Sequence, residues 1–239
     1  MEYLIDKKNK VIFGFSPKAG CSHIKTLLYY ASLGKSPEDV NSLKCGEIHK
    51  IFNDIKLSVI EPYITSTSEK INVIIVTRHP FERLVSGFRQ KYKKSDKTSK
   101  KWPSEIKLNL SNFVKEIKKG NWKVVDPHHF KPQSTNYLDF SKFKNVKLKI
   151  FDINKIDYDY IFSAYRRKKS QAVINKTQGH ERFTKDFSDY TGELGNGEEL
   201  DVNEYWESQI DVSTFYSDEI KKKVFEIFKQ DYINFGYNL

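Results

Sequence analysis

Cysteine is scarce in this chain. Only Cys21 and Cys45 occur, and neither belongs to a Cys-x-x-Cys pair or a zinc-like cluster, so a cysteine-ligated metal centre has no basis in the sequence. One disulfide between them remains open, but such sparse usage favours a reducing compartment. Long apolar runs are missing as well. None approaches the roughly 18 to 20 residues of a membrane span, and the opening MEYLIDKKNK lacks the apolar centre of a signal peptide. The chain is therefore expected to be soluble and cytoplasmic, and the Asn-x-Ser/Thr matches at Asn109 and Asn175 are read as chance. There is no internal repeat and no linker-like stretch, which favours a single domain over residues 1–239.

What is present is apolar material for a core and an excess of positive charge. Hydrophobic residues make up 38% and aromatics 14% of the chain, enough to exclude global disorder. The net charge of +10 favours an anionic partner. Nucleic acid, nucleotide, acidic glycan and membrane surface all stay open on charge alone.

The most informative stretch runs from Lys10 to Tyr30. A β-branched and aromatic run, Val11 to Phe15, gives way to Ser16-Pro17-Lys18-Ala19-Gly20. A helical pattern with Ile24, Leu27, Leu28 and Ala31 on one face follows. A helix start of this kind leaves backbone N–H groups unpaired within the helix and carries about half a positive charge, which suits an anion. Lys18 adds a full charge. The spacing is not that of a nucleoside-triphosphate P-loop, whose lysine directly follows the second glycine: Gly14 and Gly20 lie six apart and Lys18 precedes Gly20. An ordinary buried turn with a solvated lysine fits the same pattern.

A second junction repeats the theme. Ile71 to Thr77 reads as a buried parallel strand and ends at Arg78-His79-Pro80. A helix follows from Phe81 to about Lys94, with Phe81, Leu84, Val85, Phe88 and Tyr92 inward. Where a P-loop phosphotransferase has an Asp for Mg²⁺ on its second strand, this chain has Arg78, and Ser86 further along the helix. Two strand ends that supply Lys and Arg without a carboxylate suit a ligand with two anionic groups, bound without a metal.

Further on, Lys91 to Lys101 is a basic run, either a solvated surface or a guide for an acidic acceptor. A helix capped by Ser111 and stopped by Gly120 is expected next, then a polar segment from Val125 to Gln133. Val146 to Phe151 alternates as a half-buried strand. A helix follows near Tyr158 to Tyr165, and Ser217 caps a last helix. Alternating strands and helices point to a three-layer α/β fold with a mainly parallel sheet and the ligand at the C-terminal strand edge.

Taken together, these residues resemble the sulfotransferases that use 3′-phosphoadenosine-5′-phosphosulfate (PAPS), in particular the carbohydrate branch that includes the chondroitin, dermatan and HNK-1 enzymes. Ser16-Pro17-Lys18-Ala19-Gly20-Cys21-Ser22 resembles that family's 5′-phosphosulfate loop, and Arg78 to Arg89 (RHPFERLVSGFR) its 3′-phosphate motif at nearly every position. His129-Phe130-Lys131-Pro132-Gln133 and Asp231 to Tyr237 are similar to later family segments. The resemblance implies PAPS as donor, no metal, and sulfuryl transfer to a hydroxyl acceptor, with an acidic or neutral glycan favoured. It implies that the loop Ser16 to His23 holds the phosphosulfate and that Arg78 and Ser86 hold the 3′-phosphate. It also implies that Asn175, Lys176 and Thr177 add donor contacts from a late loop. Lys18 and His49 are the implied catalytic pair, Lys18 at the leaving group and His49 as base, with His129 in reserve. A histidine, with its reference pKa of about 6.5, can accept a proton near neutrality. Where relatives carry Trp after the loop, this chain has His23-Ile24. Two rivals remain: a P-loop-like nucleotide kinase or NTPase, and a nucleic-acid-binding module built on the Lys91–Lys101 run with Tyr92 and Trp102 nearby.

Overall fold

Four strands form one sheet in the computed structural model, which describes residues 1–43, 45–52, 57–92, 99–178 and 215–238. They are β1 (Glu2–Asp6), β2 (Val11–Phe15), β3 (Ile71–Thr77) and β4 (Val146–Asp152), in that spatial order. β2 is buried throughout and β3 at every residue but Asn72, as continuous apolar strands require. β2, β3 and β4 run parallel, with Phe15 opposite Val76 and Val76 opposite Phe151. β1, absent from the sequence expectation, pairs antiparallel with β2. Gly14 in β2 leaves no room for a side chain: a Cβ there would clash with Ile75 Cδ1 and stand 3.0 Å from Tyr3 Cε1. Its role is close packing, which removes it from any phosphate loop.

Helices α1 (Cys21–Ala31), α2 (Pro37–Ser42), α3 (Cys45–Ile51) and α4 (Leu57–Thr65) lie between β2 and β3. Helices α5 (Pro80–Lys91), α6 (Leu110–Lys118) and α7 (Pro127–Phe130) precede β4. After β4 come α8 (Tyr158–Ala164), α9 (Gln171–Gln178) and α10 (Asp218–Phe235). The chain divides into two compact units, Met1–Arg78 with Gln133–His180, and His79–Pro132 with Glu181–Leu239.

In the first unit, Val11, Phe13, Phe15, Ile74 and Val76 pack with Ile24, Leu27, Leu28 and Ala31 of α1 and with Phe162, Val173 and Ile174 of α8 and α9. Fully burying each such large side chain contributes roughly 1.5–3 kcal/mol, which holds α1, and so its N-terminus, against the sheet. In the second unit, Leu84, Val85 and Phe88 of α5 pack with Phe113, Val114 and Ile117 of α6 and with Val224 and Phe228 of α10.

Two local expectations change. The N-cap of α6 is Asn109, whose side chain accepts from the Asn112 N–H at 2.9 Å, while Ser111 is buried inside the helix. Asn and Ser cap about equally well, and Leu110 already being helical leaves the earlier residue in place. α5 ends at Lys91 rather than near Lys94. Ser217 caps α10 as expected. Among the described residues no helix is long and apolar enough to cross a membrane.

Candidate functional site

The loop between β2 and α1 turns through two left-handed residues, Lys18 at φ 68° and Gly20 at φ 82°. The turn closes with the Ala19 N–H donating to the Ser16 carbonyl at 3.0 Å. Left-handed backbone costs a non-glycine residue about 1–2 kcal/mol, so the surrounding structure must hold Lys18 there. Gly20 is the N-cap of α1, offers no capping side chain, and is followed by a first turn without an acidic residue. The positive end of the helix thus has no carboxylate of its own, which fits an incoming anion. Pro17 and Ala19 are buried, and Lys18 is half-buried.

Arg78, directly after β3, reaches this loop: its Nη1 donates to the Lys18 carbonyl at 3.4 Å. Both cations therefore stand at the C-terminal edge of adjacent parallel strands. Between them lies Gln133, 1% exposed. Its Oε1 accepts from Ser16 Oγ at 3.1 Å and from the Arg78 N–H at 3.0 Å, and its Nε2 donates to the Arg78 carbonyl at 2.8 Å. Sequence reading gave Gln133 no role. Its partners are 117 and 55 residues away, and nothing local announces them.

His49 comes to the same place. Its Nε2 lies 2.8 Å from Ser22 Oγ in the first turn of α1, and it is exposed on α3. His23, by contrast, is 6% exposed and its Nε2 lies 3.1 Å from the Tyr158 hydroxyl of α8, with the rings edge to face. The side chain at that position serves packing. Cys21 is a free thiol; burial pushes its pKa up, Glu2 adds to the shift and Lys18 opposes it, which keeps it protonated and inert.

Other expected site residues are carried by helices. Ser86 is half-buried on α5, in the second unit. Asn175, Lys176 and Thr177 belong to α9, a helix packed on α1, and not to a loop as expected: Val173 and Ile174, buried against α1, give the segment an apolar face that favours a helix.

His129 lies in the second unit. Its Nδ1 is 2.6 Å from Asp126 Oδ2, while Arg83 donates to the carbonyls of His129 at 2.8 Å and Lys131 at 3.0 Å. Burial pushes the His129 pKa down to about 4 against the opposing pull of Asp126, so at pH 7 the neutral ring donates its Nδ1–H to the carboxylate. Burial raises the pKa of Asp126, but its bond to His129 and the nearby positive charge outweigh that and hold it below its ordinary range.

Tyr92 and Trp102, the aromatics of the nucleic-acid rival, are core residues. The Tyr92 hydroxyl donates to the Val124 carbonyl at 2.8 Å and Trp102 Nε1 to that of Ile106 at 2.7 Å. Residues 93–98 of the basic run, and the acidic, glycine-containing stretch 186–207 that the sequence suggests as a loop, lie outside the described residues. A cavity of about 570 Å³ lined by Lys10, Lys70, Lys147 and Arg166 sits where the parallel strands begin, the edge opposite Lys18 and Arg78.

The chain is 21% identical over 249 aligned positions to carbohydrate sulfotransferase 11 of Rattus norvegicus, covering 99% of this chain and 67% of the relative. The Mus musculus protein of the same name gives the same identity and coverage. A family model described as "Sulfotransferase family" matches residues 1–238. With that match spanning nearly the whole sequence, from β1 through α10, the chain belongs to the sulfotransferase family.

Proposed function

We propose that this chain, acting as one sulfotransferase domain over residues 1–239, moves the sulfuryl group of PAPS to a hydroxyl of a carbohydrate. The observation that carries the reading is the meeting of Lys18 and Arg78 at one sheet edge, bridged at 3.4 Å through the Lys18 carbonyl. The donor supplies an activated sulfuryl group on a phosphate leaving group. Lys18 and the N–H groups at the start of α1 bind the 5′-phosphosulfate, where negative charge grows on the bridging oxygen as its bond to sulfur breaks. Arg78 and Ser86 hold the 3′-phosphate. His49 takes the proton of the acceptor hydroxyl as its oxygen bonds to sulfur in line with the departing oxygen. The charges and hydrogen-bond donors needed are all side chains or backbone of this chain, which is why no metal enters the scheme. A carbohydrate acceptor is supported by the name of the two relatives, and an acidic one by the +10 net charge.

Calorimetry tests this directly. Binding of 3′,5′-phosphoadenosine that persists in EDTA is the expected result. Saturable ATP–Mg²⁺ binding with no response to the 3′-phosphorylated nucleotide overturns the reading in favour of a nucleotide kinase or NTPase. Transfer of radiolabelled sulfate to acidic and neutral glycans then identifies the acceptor.

A further inference from the structure

We infer that Gln133 is a positioning residue that fixes the spacing between the two anion-binding strand ends. The inference rests on the donor reading above and deepens it. β2 and β3 are paired up to Phe15 and Val76; Ser16 directly follows β2, and Arg78 follows Thr77, the last residue of β3. The Gln133 amide bonds to both of them there. Its Oε1 accepts from Ser16 Oγ and the Arg78 N–H while its Nε2 donates to the Arg78 carbonyl. The orientation of this amide is settled by its partners, since a backbone N–H only donates and a carbonyl only accepts. Ser16 and Gln133 are each 1% exposed, so water does not readily replace a lost bond.

The consequence reaches the ligand groups on both sides. Ser16 begins the loop that carries Lys18, and the Arg78 backbone sets where its guanidinium starts. That guanidinium returns to the Lys18 carbonyl, closing a ring from Ser16 through Gln133 and Arg78 to Lys18. A ligand with phosphates at both its 5′ and 3′ ends reads the distance between the two strand ends. A ligand with a 5′ phosphate alone reads only the loop. Gln133 therefore contributes chiefly to binding of the doubly phosphorylated nucleotide, without touching it.

Gln133→Glu is the most informative variant. It preserves shape and the accepting oxygen, but it sets an acceptor against the Arg78 carbonyl and a negative charge beside two anion sites. The measurement is calorimetric affinity for 3′,5′-phosphoadenosine and for adenosine 5′-phosphate, in wild type, Gln133→Glu and Gln133→Ala. The preference for the doubly phosphorylated ligand is expected to fall at least tenfold in both variants. Equal losses on both ligands, as general softening of the fold would give, overturn the inference, and so does an unchanged preference. Should both variants fail to fold, Ser16→Ala removes one bond of the bracket and is expected to lower the preference at least twofold; no change overturns the inference. A wild-type protein that binds neither nucleotide refutes the donor reading instead. Amide exchange then decides the bracket by itself: the Arg78 N–H must exchange at least tenfold faster in Gln133→Ala, and an unchanged rate overturns it.

Discussion

Ser22 Oγ, in the first turn of α1, lies 2.8 Å from Nε2 of His49 on α3, so the helix that starts at the Lys18 loop also orients a histidine. If Nε2 donates to Ser22, the lone pair for proton abstraction is on Nδ1; if Ser22 donates, Nε2 is engaged until an acceptor hydroxyl displaces the serine. His49→Ala should lower kcat by about 10²–10⁴, the usual worth of a general base, with affinity for 3′,5′-phosphoadenosine within twofold. Ser22→Ala should cost far less. Steady-state kinetics alongside calorimetry checks both, and a His49→Ala enzyme retaining more than a tenth of wild-type kcat removes the base role from this residue.

Lys18 and Arg78 should separate by which constant they move. In the proposed scheme Lys18 faces charge that grows in the transition state, so Lys18→Ala is expected to cut kcat by about 10²–10³. Arg78 in the same scheme holds charge present throughout, so Arg78→Ala should mainly raise the donor dissociation constant. One charge-assisted hydrogen bond, at about 1.5–3 kcal/mol, corresponds to roughly 10- to 150-fold. The reverse pattern, with Lys18 moving only affinity and Arg78 only kcat, contradicts the assignment of the two ends of the donor.

Gly20→Ala tests the loop geometry. The residue sits at φ 82°, and a Cβ would collide with Ile153 Cδ1 just beyond β4. Left-handed backbone alone costs alanine about 1–2 kcal/mol, and the contact adds to it, so the Ile153 side chain or the start of α1 must shift. Urea unfolding should show at least that loss of stability, and nucleotide affinity should fall with it. A variant with wild-type stability and affinity means that the loop has a different conformation.

The sheet was legible because Val11 to Phe15 and Ile71 to Thr77 are largely apolar runs, buried at every residue but Asn72, whose bounds match the strands residue for residue. β1 escaped notice because only Tyr3 and Leu4 of its five residues are buried, too short a signal against a charged flank. Lys18 and Arg78 were legible as cations following strands, a local pattern that parallel topology turns into proximity. Gln133 was not, since its bonds join three distant segments, and neither was the burial of His23, whose partner Tyr158 lies 135 residues on. The loop expected at Asn175, Lys176 and Thr177 is what the family resemblance implies, not a local signal. The apolar pair Val173 and Ile174, seated against α1, decides for helix.

His129 gives the protein an acid-sensitive point of stability in the second unit. Its folded pKa is about 4 against about 6.5 for a free histidine, so between those values the unfolded chain binds a proton that the folded chain refuses. Stability from this group is therefore complete above about pH 6.5, declines as pH falls toward 4, and levels off below that. Asp126, already below its ordinary range, stays ionised in the folded chain and adds slope only at the acid end of the window, where an unfolded carboxyl begins to bind a proton. His129→Gln keeps a donor for Asp126 but cannot titrate, so the difference in urea midpoint between wild type and variant should be constant above pH 6.5 and should shift against the wild type between 6.5 and 4. A difference that stays flat down to pH 4 means the imidazole is not held neutral. The same variant should retain transfer activity at pH 7, because a ring committed to Asp126 through Nδ1 and held at its backbone by Arg83 is placed to hold the α7 turn, and loss of transfer with unchanged nucleotide affinity would return the base role to His129.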